Sequence, residues 1–267
     1  MLWDTHMHTS FSGDSDAPAD SMIRRAISLG LKGICITDHL DYDYQEEPGL
    51  FLLDLERYVP TIRALASDYR DQIPVLLGIE LGLQPHLAER HTKLLEEIDF
   101  DFVIGSSHVV HGVDPYYPSY YEGRSEQEGY LEYFESILEN ITAFDGYDVY
   151  GHLDYVVRYG PNRNRDYSYA AYRDIIDEIL RQLIARGKGI ELNTAGFKYG
   201  LGHPNPTEEI LSRYRELGGE ILTIGADGHK PEHIAYDFHR IPELLKHCGF
   251  RYYTVFRKRA PEFLPLP

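Results

Sequence analysis

Gly33-Ile34-Cys35-Ile36-Thr37-Asp38-His39 is a short, β-rich apolar run that stops on an aspartate and a histidine. An unbroken run of that length reads as a strand buried on both faces, the habit of parallel sheets. Outward along the chain the same ending recurs. Val75-Leu76-Leu77-Gly78-Ile79 runs into Glu80, and Val103-Ile104-Gly105-Ser106-Ser107 into His108. Val149-Tyr150-Gly151 runs into His152, and Leu222-Thr223-Ile224-Gly225-Ala226 into Asp227-Gly228-His229. Toward the N-terminus, Asp4-Thr5-His6-Met7-His8 closes another apolar segment, and strand alternation puts Asp4, His6 and His8 on one face, within reach of one ion. Strands are expected at 2–6, 33–37, 74–81, 102–106, 148–151, 189–193 and 221–225, and six of these seven end in His, Asp or Glu. A lone His-x-His pair or loop carboxylate is common without a metal. Recurrence at six strand ends points to one shared site, because in a parallel barrel the C-terminal ends open onto the face where active sites sit.

Amphipathic stretches at 21–28, 53–69, 88–96, 126–142, 169–186 and 207–216 alternate with the strands, which is α/β architecture. Asp20 and Pro206-Thr207-Glu208-Glu209 supply helix starts, and Ala185-Arg186-Gly187 a stop. No repeat, low-complexity stretch or linker divides the chain, so residues 1–267 are expected to form one domain, a length that (β/α) barrels reach as a single unit. The balance of 26 Lys+Arg against 43 Asp+Glu, net charge −17, argues against a nucleic-acid or anionic-membrane partner. That balance also opposes a phosphorylated substrate, and bound divalent cations would resolve this locally by reversing the field of a site. Cys35 and Cys248 are too few for a disulfide framework or a thiolate cluster. With no signal-peptide pattern and no apolar run of spanning length, the chain is expected in the cytoplasm; nothing in the pattern sets an oligomeric state.

In order along the chain, His6-Met7-His8, Thr37-Asp38-His39, Glu80, His108, Gly151-His152 and Asp227-Gly228-His229 resemble the metal-binding motifs of the polymerase and histidinol phosphatase (PHP) superfamily. Within it, Ser12-Gly13-Asp14-Ser15, Thr37-Asp38-His39-Leu40-Asp41 and Gly151-His152-Leu153-Asp154-Tyr155-Val156-Val157-Arg158-Tyr159-Gly160-Pro161 resemble the monofunctional histidinol-phosphate phosphatases of histidine biosynthesis. The resemblance implies a distorted (β/α)₇, TIM-like barrel with three divalent ions and a small phosphorylated substrate, L-histidinol phosphate. It implies His6, His8, Glu80 and Asp227 on one ion; a bridging Glu80 with His108 and His152 on a second; and His39, His229 and Asp14 on a third. Asp14 lies in a loop, where a turn aspartate bonding its own backbone is the competing reading.

Imidazole and carboxylate ligands suit Zn²⁺, Mn²⁺ or Fe²⁺, and the lack of thiolates disfavours Cu(I) and iron–sulfur clusters. Two such ions about 3.5–4 Å apart can hold a bridging water whose pKa falls toward about 7, giving a hydroxide to attack phosphorus. No Ser or Cys nucleophile motif competes. Asp14 and His229 are the expected helpers of the departing alkoxide. Arg158, a few residues past the fifth strand, is the expected phosphate clamp, its forked donors matching phosphate oxygens. Lys198 and Asn193 are further substrate-contact candidates; the strand ending Glu191-Leu192-Asn193-Thr194 is expected to line the pocket without binding metal. Asp4 and Asp38 are the candidate carboxylate partners of ligating imidazoles, with a turn residue the equal reading for either. His86, His91, His203, His233, His239 and His247 read as surface or helix histidines, with His111 open. Tyrosines at 116–121 and 155–172 fit a pocket wall or a lid as well as ordinary packing. Other readings are a different PHP phosphoesterase (a nuclease, a nucleotide phosphatase or a phosphotyrosine phosphatase) and a noncatalytic metal-stabilised module.

Overall fold

The computed structural model describes residues 2–267. Seven parallel strands follow one another around the sheet: β1 (Trp3–Asp4), β2 (Gly33–Ile36), β4 (Val75–Gly82), β5 (Phe102–Ser106), β6 (Val149–Tyr150), β7 (Gly189–Asn193) and β8 (Leu222–Gly225). An unexpected two-residue strand, β3 (His39–Leu40), pairs in parallel with the end of β4, setting His39 opposite Glu80. The ends of the sheet meet where the Thr5 amide donates to the Ile224 carbonyl, Asp227 donates to His6, and Met7 bridges in parallel to Gly228. The result is the expected seven-stranded, TIM-like barrel. Helices α1 (Ala19–Ser28), α2 (Leu55–Asp68), α3 (Ala88–Glu97), α4 (Glu126–Ala143), α5 (Arg173–Ala185), a four-residue α6 (Ala195–Lys198), α7 (Glu208–Glu216) and α8 (Ile241–His247) follow the strands.

Local chemistry accounts for several boundaries. Asp54 caps α2 by accepting from the Arg57 amide, and Ser125 with Glu128 forms a reciprocal capping box on α4. Gly187, at φ +68°, follows α5 as the sequence suggested, a backbone state that costs glycine little. Asp20 lies inside the first turn of α1 rather than before it, and Thr207 caps α7 without a side-chain hydrogen bond. The segment at 169–186 divides into a 3₁₀ turn at Tyr169–Tyr172 and α5.

The chain also builds an unanticipated antiparallel hairpin, β9 (Tyr252–Arg257) and β10 (Ala260–Pro265), across the N-terminal ends of the barrel strands. There Phe256 stacks on Phe102, Arg257 sits over Trp3, and Thr254 accepts from the Leu222 amide. The barrel strands are buried along their whole lengths, apart from His39 in β3. Among the described residues no helix is long and apolar enough to cross a membrane.

Candidate metal centre

The C-terminal ends of the strands bring together all nine side chains expected as metal ligands. His6 Nε2 and His8 Nε2 face each other at 3.1 Å, and Glu80 Oε2 lies 3.2 and 3.4 Å from them. Asp227 Oδ1 completes this corner, 3.4 Å from His8 Nε2 and 3.9 Å from His6 Nε2. The other carboxylate oxygen, Glu80 Oε1, faces His152 Nε2 at 2.9 Å and His108 Nε2 at 3.3 Å. On the open side, Asp14 Oδ2 lies 2.8 Å from His229 Nε2 and 3.8 Å from His39 Nε2, while His39 Nδ1 is 3.1 Å from Glu80 Oε2. Asp14 thus faces two imidazoles instead of closing a turn on its own backbone.

Four of the six histidines, His6, His8, His108 and His229, are tethered through one nitrogen so that the other points inward. His6 Nδ1 is 2.6 Å from Glu191 Oε1, His108 Nδ1 is 2.7 Å from Asp41 Oδ1, His8 Nδ1 meets Ser12 Oγ at 3.2 Å, and His229 Nδ1 donates to the Asp227 carbonyl at 3.1 Å. A hydrogen on each Nδ1 leaves the Nε2 lone pair for a metal, the usual role of such outer partners. Three compact donor groups result: His6–His8–Glu80, His39–Glu80–His108 and His8–His39–His229. Imidazole nitrogens turned toward one another, with a buried carboxylate between them, are the donor set a divalent cation satisfies.

A family model described as "PHP domain" matches residues 4–195. The chain belongs to the PHP domain family. Among its relatives, the histidinol-phosphatase of Lactococcus lactis is 32% identical over 95% of this chain and 93% of its own length. The probable histidinol-phosphatase of Clostridium acetobutylicum is 32% identical over 98% and 100%. The crystal structure of the Lactococcus lactis histidinol phosphate phosphatase, complexed with zinc, L-histidinol and phosphate, superposes with TM-score 0.90 at 31% identity, covering 98% of this chain and all of that one.

The field inside this PHP barrel is divided. Burial opposes charge on His6, yet Glu191, Glu80 and Asp227 outweigh it and raise its pKa well above the ordinary value. His8, equally buried and flanked by His39 and His229, is pushed well below it. Burial also opposes charge on His108, but Asp41 and Glu80 lift it to about 10. Glu80 stays well below the carboxylate range despite burial, because His6, His39 and His108 surround it. A bound cation would take the place of these imidazole protons.

Several PHP-site residues have roles the sequence reading did not give them. Glu191, expected only to line the pocket, holds His6 and also accepts from the His152 amide at 2.9 Å. Gly225 admits this packing, since a Cβ there would overlap the His6 side chain and Glu191 Oε1. Asp41, rather than Asp38, is the carboxylate partner of an imidazole. Asp38 binds Thr9 and Ser12, and so reaches His8 only through the serine hydroxyl. Asp4 accepts from the amides of Ala226 and Ala235 and touches no imidazole.

A cavity of about 400 Å³ opens over the centre, its lining including Asp14, His39, His108, Arg158, Lys198, Asp227 and His229. Arg158 is buried there, donating to Asp227 Oδ2 at 2.9 Å, Asn205 Oδ1 at 2.9 Å and Asn193 Oδ1 at 3.1 Å, which uses three of its five N–H donors. Asn193 lies beneath that guanidinium, fully buried and outside the cavity lining, with its amide group spent on Glu191, Asp227, Arg158 and the Ala195 amide. Lys198 Nζ donates to the Asp227 carbonyl at 3.0 Å and faces the cavity.

The remaining histidines and tyrosines divide between wall and core. His233, expected on the surface, also lines the cavity, whereas His91 is buried in α3 against the Gly82 carbonyl and His111 sits outside between Glu132 and Glu139. Of the tyrosines, Tyr155 and Tyr159 line the cavity, Tyr120, Tyr167 and Tyr172 are buried in the hydrophobic core, and Tyr116 is exposed.

Proposed function

We propose that this PHP chain hydrolyses L-histidinol phosphate to L-histidinol and phosphate. The observation that carries the reading is the convergence of nine ligand-type side chains, with five imidazoles gathered on Glu80, at the floor of a cavity that also presents Arg158 and Lys198. The histidinol-phosphatase names of the relatives, and the zinc, L-histidinol and phosphate bound to the Lactococcus lactis enzyme, support the substrate.

His6, His8, Asp227 and Glu80 would hold one divalent ion, Glu80, His108 and His152 a second, and Asp14, His39 and His229 a third, with Zn²⁺, Mn²⁺ and Fe²⁺ all suited to these donors. Bound there, such ions supply a nucleophile from water at neutral pH and neutralise charge on the phosphoryl oxygens. Glu191, Asp41 and Ser12 keep the imidazoles in the tautomer that presents Nε2. Arg158 fixes Asp227 and turns its unspent donors, with the Lys198 ammonium, toward the phosphoryl group. Asp14 and His229, 2.8 Å apart at the open side, are the pair we assign to the departing alkoxide, which the ion they would hold could stabilise. Asn193 then acts behind Arg158 as a support.

The reading is tested by phosphate release from a panel of histidinol phosphate, phosphotyrosine and nucleotides, before and after chelation. Preferred, chelator-sensitive release from histidinol phosphate is expected. Activity that survives chelation would overturn the metal assignment, and a preference for nucleotides would overturn the substrate.

A further inference from the structure

The run Gly151-His152-Leu153-Asp154 ends in a carboxylate that the chemistry above leaves unused. Asp154 is fully buried, outside the cavity lining, and is none of the proposed metal ligands. Its Oδ1 accepts from the Asn205 side-chain amide at 2.5 Å, and its Oδ2 from the Thr207 backbone amide and the Tyr167 hydroxyl, both at 3.2 Å. Asn205 is equally buried, and its main chain pairs with Asn193 in both directions at 2.8 Å. With that backbone pinned, what is left to set is which end of the Asn205 side chain faces which neighbour, since one end donates and the other accepts. An ionised carboxylate only accepts. Asp154 therefore takes the NH₂ end and leaves Asn205 Oδ1 facing Arg158 Nε at 2.9 Å. Asp227 and Asn193 accept from Nη1 and Nη2 of the same guanidinium. The rings of Tyr155 and Tyr199, 5.4 and 5.1 Å from its central carbon, attract the charge but direct no N–H. The bond to Asn205 thus sets the rotation of the guanidinium plane, and with it the aim of the two unspent N–H groups.

We propose that Asp154 is a positioning residue for phosphate binding: acting through the Asn205 amide, it holds the Arg158 guanidinium in the orientation that meets the phosphoryl group. The assignment rests on the phosphomonoesterase reading above and extends it to a residue that touches no substrate. A guanidinium fork grips phosphate well only when its free donors point together at the phosphoryl oxygens. The charge of Asp154 matters as well as its shape. Arg158 is buried with one direct anionic partner, Asp227, whose other oxygen faces the metal centre. A second negative charge one amide away polarises Asn205 Oδ1 and strengthens the hold on Nε. An uncharged amide at position 154 cannot replace it. Such an amide sets a donor either against the Thr207 N–H or against the Asn205 NH₂, and in the second case Asn205 turns and sets its own NH₂ against Arg158 Nε.

The test is a double-mutant cycle on the metal-loaded chain: wild type, Asp154→Asn, Arg158→Ala and the two together. It reads kcat/KM on a phosphomonoester that the wild type hydrolyses, and the Kd of inorganic phosphate by calorimetry. Misdirecting one charge-assisted contact is expected to lower kcat/KM about 10-fold in Asp154→Asn and to raise the phosphate Kd by a similar factor. Beside Arg158→Ala the same change should cost less than ~2-fold, because its route to the substrate is gone. Exchanging the pair, Asp154→Asn with Asn205→Asp, lets an amide at 154 donate to a carboxylate at 205 that still accepts from Arg158, and should recover most of the loss. If Asp154→Asn does not fold, as read from its unfolding midpoint, Asn205→Ala removes the same link and takes its place in the cycle with the same expected outcomes. Losses that multiply with that of Arg158→Ala, as a merely structural role would give, an unchanged phosphate Kd, or an exchange that recovers nothing would overturn the assignment alone. A metal-loaded wild-type chain that releases phosphate from no phosphomonoester would overturn the phosphatase reading and this assignment with it.

Discussion

Both oxygens of Glu80 are shared among imidazoles, Oε2 with His6, His8 and His39, and Oε1 with His108 and His152. A side chain so placed cannot be shortened without opening two of the three donor groups at once. Glu80→Ala and His108→Ala are therefore expected to abolish turnover while circular dichroism stays native, and near wild-type kcat in either would contradict the proposed ligand set. The carboxylates one step further out should have smaller effects. Asp41→Asn and Glu191→Gln keep volume and hydrogen bonding but remove the charge that orients His108 and His6. A loss of about 10–100-fold in metal affinity is expected, read by competition with a chromogenic chelator. The nine inner residues were legible in sequence because each follows or ends a strand, or closes a motif, and strand ends are fixed by pattern. Their outer partners were not. Glu191 is mid-strand on β7 and Asp41 is one of three carboxylates around His39. Choosing among such groups takes distances across the barrel, which is why Asp4 and Asp38 were the wrong partners for an imidazole.

At the scale of elements, the barrel strands were readable because burial on both faces leaves continuous β-branched and apolar runs. The C-terminal hairpin carries such a run in Tyr252-Tyr253-Thr254-Val255-Phe256, but its partner strand holds Pro261 and Pro265 and its turn gives no signal. Its turn residues Lys258 and Arg259 adopt φ +48° and +65° with no glycine or asparagine to announce them. Tertiary contacts hold the turn instead: Asp101 accepts from the Lys258 amide through its carboxylate and from the Arg259 amide through its carbonyl, and Arg259 pairs with Asp148. Asp101→Ala removes the carboxylate contacts to Lys258 and to the Leu77 amide. It should cost about 1–3 kcal/mol in denaturant unfolding. Activity per folded molecule should be unchanged, because this hairpin lies at the end of the barrel opposite the metal centre. Gly225→Ala should behave in the opposite way. Its Cβ would displace His6 and Glu191 directly, so metal affinity and activity should fall together with an overpacking cost of about 1–3 kcal/mol, and an active, metal-replete Gly225→Ala chain would contradict that packing.

For the molecule as a whole, a net charge of −17 is compatible with a phosphate substrate only through the local field at the centre. Without ions, that field is balanced by protons. His6, His39 and His108 all have pKa values raised by neighbouring carboxylates against the effect of burial, whereas His8 and His152 are lowered mainly by burial. Loading the centre near neutral pH should therefore release about three protons per chain, because a metal ligand must present a lone pair. Calorimetric titration of the chelated protein in two buffers of different ionisation enthalpy measures that number. Release of less than one proton would contradict the charge distribution described here. The same linkage fixes the direction of the stability change. The ligands come from strands all around the barrel, so ions bind the folded chain and not the unfolded one. At ~1,000 times the dissociation constant, each site would add about 4 kcal/mol, and chelation should lower Tm by roughly 10 °C or more. A separate, metal-independent pH response belongs to His91, which burial lowers from 6.5 to about 4. Because the folded chain holds this imidazole neutral while the unfolded chain protonates it, its contribution is complete above pH 6.5 and is lost as pH falls toward 4. The loss should approach about 3 kcal/mol. Chelated wild type and His91→Gln, unfolded in denaturant at pH 6.5 and 4.5, isolate the effect: the variant should lose less stability between the two pH values, and equal losses would show that the response arises elsewhere.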